Sequence, residues 1–221
     1  MERTRWMAAI RRPESAAIAG LVFASILGVA LTLLHQASPD QISAADTWLT
    51  DERRRDAINL ALTLLPFAGI AFLWFIAVIR THLGARDDRF FETVFLGSGL
   101  VFIATMFTAA AALKGVLLLD AGGESPSPEI VGFAWTYATA VLGVFGAKMA
   151  AVFIFSAATA GMRAGTLPRW LGLLGYLTGV TLLVIPPLPD IAQFLFPLWV
   201  ALVSGLILVR RRSPGQPSTE L

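Results

Sequence analysis

The chain has 221 residues, 56% hydrophobic and 14% charged, with a formal net charge of +2 and no cysteine. Soluble domains carry about 25% charged and about 45–50% apolar residues, so this balance excludes a soluble enzyme, a disordered chain and a collagen-like fibre. The absence of cysteine excludes disulfides, thiolate metal sites and a cysteine nucleophile.

Several apolar runs approach the roughly 20 residues needed to cross a hydrocarbon core about 30 Å thick. The predicted fold class is all-α: a polytopic integral membrane protein, a six-helix transmembrane bundle, forming one domain over residues 1–212. The first helix is expected over 15–34, behind Arg11 and Arg12; its apolar part is too long for a signal peptide, so it reads as a retained span. Thr50 is the expected cap of a second helix over 51–80, with Asp51 and Glu52 in its first turn and a kink at Pro66. Asp87 or Asp88 caps a third over 90–119. Ser127-Pro128-Glu129 supplies the cap, first-turn proline and first-turn acid of a fourth over 128–162. A short connection leads to a fifth helix over 170–185, and Pro186 to Asp190 forms a hairpin. The sixth helix, over 191–209, is interrupted by Pro197 and followed by a disordered tail, 213–221.

Arginine distribution orients the bundle. Arg3, Arg5, Arg11, Arg12, Arg80, Arg86, Arg89, Arg163, Arg169 and Arg210 to Arg212 fall on one side, against Arg53, Arg54 and Arg55 on the other. Basic residues in short loops stay cytoplasmic, so both termini are expected in the cytoplasm. Nine acids, among them Asp40, Asp120, Glu124 and Asp190, fall on the outer side. The basic pI near 9.5 then reflects attraction to anionic lipid heads on the cytoplasmic face rather than nucleic-acid binding. Trp135 near the outer ends, with Trp74 and Trp170 near the inner ones, fits interfacial belts, and Trp48 suits a surface segment.

Four polar groups in or near the spans are candidate sites. An ionisable side chain within a span is costly and points to function by default. Lys148 lies about 20 Å from Trp135 along the helix, within snorkelling reach of the inner heads, or about 22 Å from Arg163, beyond it. In the first case Glu92 is its expected partner. Lys114 either reaches the outer boundary or meets Asp190 at the floor of an outward pocket, since the fifth helix spans only about 24 Å. Arg53, Arg54 and Arg55 read as a helix start neutralised by Asp51, Glu52 and Asp56, or as an outer anion or lipid-head site. Gly143, Ala147 and Ala151 form a small-xxx-small stripe for helix packing.

His35 and His82 fall at opposite faces, Gly97-Ser98-Gly99 has no histidine at matching depth, and no phosphate loop appears. No catalytic residue, cofactor or metal site is predicted. The segment Arg163-Ala164-Gly165-Thr166-Leu167-Pro168-Arg169-Trp170-Leu171-Gly172 resembles the loop between the fourth and fifth helices of a family of bacterial six-helix membrane proteins, a domain of unknown function. Ala16-Ala17-Ile18-Ala19-Gly20-Leu21 is similar too. The resemblance implies a bacterial cytoplasmic-membrane protein and no activity. The expected function is that of a non-enzymatic membrane subunit or scaffold binding lipid or partner helices, its partners being the bilayer, a second copy or another membrane protein. The alternative is a small oligomeric transporter or channel using the intramembrane lysines.

Overall fold

Apolar runs separated by charged turns become helices almost without remainder. The computed structural model describes residues 13–38, 47–83, 89–184 and 190–212. Among these, the α-helices are α1 (Pro13–Ala37), the single turn α2 (Thr47–Thr50), α3 (Glu52–Leu83), α4 (Arg89–Ala121), α5 (Pro128–Ala140), α6 (Ala147–Arg163), α7 (Arg169–Val184) and α8 (Leu195–Arg212). A π-helical turn, Val141–Gly146, makes α5 and α6 one continuous rod, and a 3₁₀ turn, Asp190–Phe194, precedes α8. Five segments are long and apolar enough to cross a membrane: Glu14–Ala37, Glu52–Arg80, Glu92–Ala121, Pro128–Arg163 and Ala192–Arg210. Arg169–Val184 is apolar but shorter.

The ends differ from expectation in instructive ways. Asp51, not Thr50, caps α3: its Oδ1 accepts the Arg53 N–H at 3.0 Å, and its carbonyl accepts the Arg55 N–H at 2.9 Å. Carboxylate and carbonyl together satisfy donors that the first turn leaves orphaned. Pro197 does not interrupt the last helix. It sits in the first turn of α8, where a missing N–H costs no helical bond, and the chain before it takes the tighter 3₁₀ form. Helix α3 passes unbroken through Pro66. Ser127, extended at ψ 152°, and Pro128 begin α5 where expected, although the Ser127 side chain makes no capping bond to the helix backbone. The Asp87/Asp88 cap, the residues at 185–189 of the hairpin and the tail lie outside the described residues.

Two turns close by the same device. Gly123 (φ 83°) and Gly165 (φ 68°) adopt left-handed backbone, which glycine reaches without a Cβ clash. After α4 the Glu124 N–H donates to Leu119 O and the Gly123 N–H to Asp120 O; after α6 the Thr166 N–H donates to Gly161 O and the Gly165 N–H to Met162 O. These paired bonds satisfy carbonyls that would otherwise end their helices unpartnered.

Helix α1 packs between α3 and α8, α4 packs against α3 and α6, and α7 lies outside, mainly on α6. The approach of α7 to α6 and α8 depends on glycine. Cβ atoms at Gly172, Gly175 and Gly179 would overlap Met162, Trp199 and Phe155 respectively. Small residues at such spacing let backbones meet where lipid supplies no hydrophobic drive. The outward faces are apolar instead: Phe67, Phe133, Phe145 and Leu177 are more than half exposed. Exposed apolar residues of this kind, on helices long enough to span, suit a multi-pass membrane protein.

Candidate functional site

The helices alternate in direction, so one end of the bundle collects Arg80, Arg163, Arg169 and Arg210, and the other Asp51, Asp120 and Glu129. The predicted polar sites distribute between these ends, but not with the expected partners. Glu92 does not meet Lys148. It pairs with Arg80, joining the end of α3 to the start of α4 at the arginine-rich end. Lys148 lies about 22 Å away from Arg163 along the rod, too far to share that level with Glu92. Its Nζ donates instead to the carbonyl of Leu183, at 2.6 Å.

That bond has a local cause. The last four carbonyls of a helix have no intrahelical donor, and the donor that would continue α7 onto Leu183 O belongs to position 187, a proline. A lysine on the neighbouring rod supplies the missing donor and places a cation at the negative end of the helix dipole. Lys148 is thus a cap delivered from another helix.

Lys114 likewise has a different partner. Its Nζ donates to Asn59 Oδ1 on α3 at 2.7 Å, a neutral acceptor that the sequence reading did not single out; the Asp190 side chain lies outside the described residues. Two of the three arginines in the triplet are drawn into ion pairs. Arg54 approaches Asp51 at 3.7 Å, and Arg55 reaches across to Asp120 on α4 at 3.4 Å. Ser98 is buried, and its hydroxyl donates back to Val94 O at 2.7 Å. Thr105 and Thr108 bond back into α4 in the same way.

Of the aromatic markers, Trp74 and Trp170 are exposed on the outside. Trp135 is half-buried and lines a cavity. The side chain of Trp48 lies outside the described residues.

The middle of the bundle is aromatic. Phe72 is the hub: its ring centroid lies 4.4 Å from Phe23, 5.0 Å from Phe153 and 5.5 Å from Phe196. Phe75 and Phe102 also touch it, and Phe95 stacks on Phe153 at 4.5 Å. Stacked and edge-on contacts of this kind are favourable beyond the area they bury. Rings from α1, α3, α4, α6 and α8 therefore close the centre.

Cavities lie on either side of this cluster. Towards the acidic end, a space of about 70 Å³ is bounded by Leu34, His35, Trp135 and Gln193. It adjoins one of about 30 Å³ that ends on Phe102 and Phe196. Towards the arginine-rich end lies a larger cavity of about 310 Å³. Five helices wall it, through Ala16, Phe75, Phe95, Ala157 and Trp199. Its polar lining is Thr166 and Arg210, and Arg210 Nη1 donates to Thr166 O at 3.0 Å. This volume falls at the lower edge of the roughly 300–1,000 Å³ typical of small-molecule sites.

Comparison with protein-family models, characterised proteins and solved structures yields no match. The site is therefore read from its own geometry. The arrangement offers an apolar chamber with one guanidinium at its rim, chemistry suited to binding.

Two features escaped the sequence reading. The first is the π turn. Buried or half-buried positions follow one another at spacing four, Ala134, Ala138, Leu142, Gly146, Ala150, Ile154 and Ala158. In a regular α-helix each such step rotates by about 40° off the face. Widening the helix over Val141–Gly146 absorbs that drift, and the Ala147 N–H donates five residues back to Leu142 O. The close packing falls on Gly146, Ala147 and Ala151; Gly143, included in the predicted stripe, has open space where its Cβ would be. The run of small residues at spacing four was the available signal. The second is the cavity, which no local pattern announces.

Proposed function

We propose that this chain is a non-enzymatic membrane protein that holds lipid or partner helices, inserted in a bacterial cytoplasmic membrane with six crossings and both termini in the cytoplasm. The asymmetry of the arginines supports that orientation, and the segment 163–172 supports the bacterial assignment through its family resemblance. The observation carrying the functional reading is the aromatic centre: phenylalanines from five helices pack where a polar path would have to run. The polar groups that might have lined such a path have structural partners instead. Lys148 caps α7, Lys114 bonds Asn59, and Glu92 pairs with Arg80.

The second reading, a small oligomeric transporter, draws on the presence of cavities towards both ends. Flux of ions and small solutes into proteoliposomes separates the two. The scaffold reading expects no protein-dependent flux, in the wild type or in Lys148→Met. Robust wild-type flux abolished by that substitution overturns it.

A further inference from the structure

The cavity at the arginine-rich end has the shape and polarity of half a ligand. Its walls, from α1, α3, α4, α6 and α8, are apolar, and its depth ends on the rings of Phe75 and Phe95. Its 310 Å³, at the lower edge of the range for small-molecule sites, suits a single medium-length acyl chain. At the rim stands Arg210, held by its bond to Thr166 O. That bond uses one of five guanidinium N–H donors arranged in a planar fork, which suits carboxylate or phosphate oxygens.

Lipid tails are as apolar as these walls, so a chain passing from bilayer to cavity gains little from hydrophobicity. Selectivity must come from the rim. We propose that this cavity binds an acyl chain beneath an anionic head, with Arg210 pairing the head; the proposal rests on the lipid-holding reading above and names its ligand class. A free fatty acid and one chain of an anionic phospholipid share this chemistry.

Trp199 in the wall provides the reporter. The full-length protein in nanodiscs of zwitterionic lipid is titrated with brominated dodecanoate and, separately, with brominated dodecanol, and tryptophan quenching is followed. Partition into the bilayer quenches exposed Trp74 and Trp170 without saturation. Occupation of the cavity adds a saturable component. That component is expected for the carboxylate, about ten-fold weaker for the alcohol and in Arg210→Gln, and lost in Ala157→Phe, which fills the chamber. Thermal unfolding and size-exclusion profiles check that each variant is folded; if Ala157→Phe is not, Arg210→Gln and the alcohol still decide.

Brominated anionic phospholipid reproducing the saturable component assigns the head to a membrane lipid. Its failure to do so, with dodecanoate active, assigns it to a free fatty acid. Equal binding of acid and alcohol, or a component indifferent to both substitutions, overturns the proposal. The flux experiment stays independent. Absent binding with absent flux removes this site and leaves the scaffold, whereas saturable binding with flux keeps the site and removes the scaffold.

Discussion

Two cations in this bundle make the same bond and serve different ends. Lys148 donates to Leu183 O at 2.6 Å, and Arg210 donates to Thr166 O at 3.0 Å. Around Lys148 the acceptor is an orphan. Its helix is short, and the position that would have donated to it is proline. Around Arg210 the acceptor sits in a turn already closed by the Gly165 and Thr166 N–H bonds, and the guanidinium stands over a chamber of about 310 Å³. A charge in a membrane protein marks a ligand site only when the fold does not already require it. By that test the lysine belongs to the architecture, and the arginine is the cation on which the proposed site depends.

The aromatic cluster keeps these two regions apart, so removing its hub is the most severe way to break the comparison. Phe72→Ala strips the ring that touches Phe23, Phe75, Phe102, Phe153 and Phe196. Truncating a buried phenylalanine costs about 3–5 kcal/mol. In lipid the loss comes through packing rather than hydration, because a void has no partner atoms on one side. Unfolding in a mixed-micelle titration measures it. A loss below about 1 kcal/mol would mean that the centre is loosely filled and that the two cavities are one.

Position along the helix axes was legible in the sequence, whereas azimuth around each helix was not. Apolar runs and arginine clusters set where helices start and stop, since a charge cannot be moved past the interface cheaply; hence α4 at Arg89–Ala121 against a predicted 90–119. The pairing of Glu92 with Lys148 failed because Lys148 lies about 22 Å along its helix from Arg163, while Glu92 sits at the arginine-rich end and pairs with Arg80. Arg80 was the near alternative, twelve residues before Glu92 and at the same end. The glycines at 172, 175 and 179 stood in plain view at helical spacing, yet which neighbours they admit depends on how α7 is turned. The large cavity is a residue of five helices failing to fill a shared volume, and no single segment encodes that.

Lys148→Met sharpens the contrast at intermediate scale. Methionine keeps an unbranched apolar stem one atom shorter than lysine but leaves Leu183 O without its donor. A hydrogen bond involving a charged group contributes about 1.5–3 kcal/mol, and the helix-end interaction adds to it. The expected outcome is a loss of roughly 2 kcal/mol in unfolding, without change in the saturable quenching by dodecanoate. Quenching that disappears with folding intact would make Lys148 part of the ligand site and erase the distinction.

The smallest effect is expected at Arg210. Glutamine at this position gives up the bond to Thr166 O, but Thr166 keeps both its own backbone N–H bond and its hydroxyl bond, at 3.1 Å, to Gly161 O. Arg210 is also exposed, and exposed charged contacts contribute about 0–1 kcal/mol. Arg210→Gln should therefore unfold within about 1 kcal/mol of the wild type in ligand-free nanodiscs, while losing discrimination between carboxylate and alcohol. Stability and binding separate only if the cation is spare to the fold. A destabilisation as large as that of Lys148→Met would show Arg210 to be another cap, and the chamber beneath it a packing defect with no occupant to recognise.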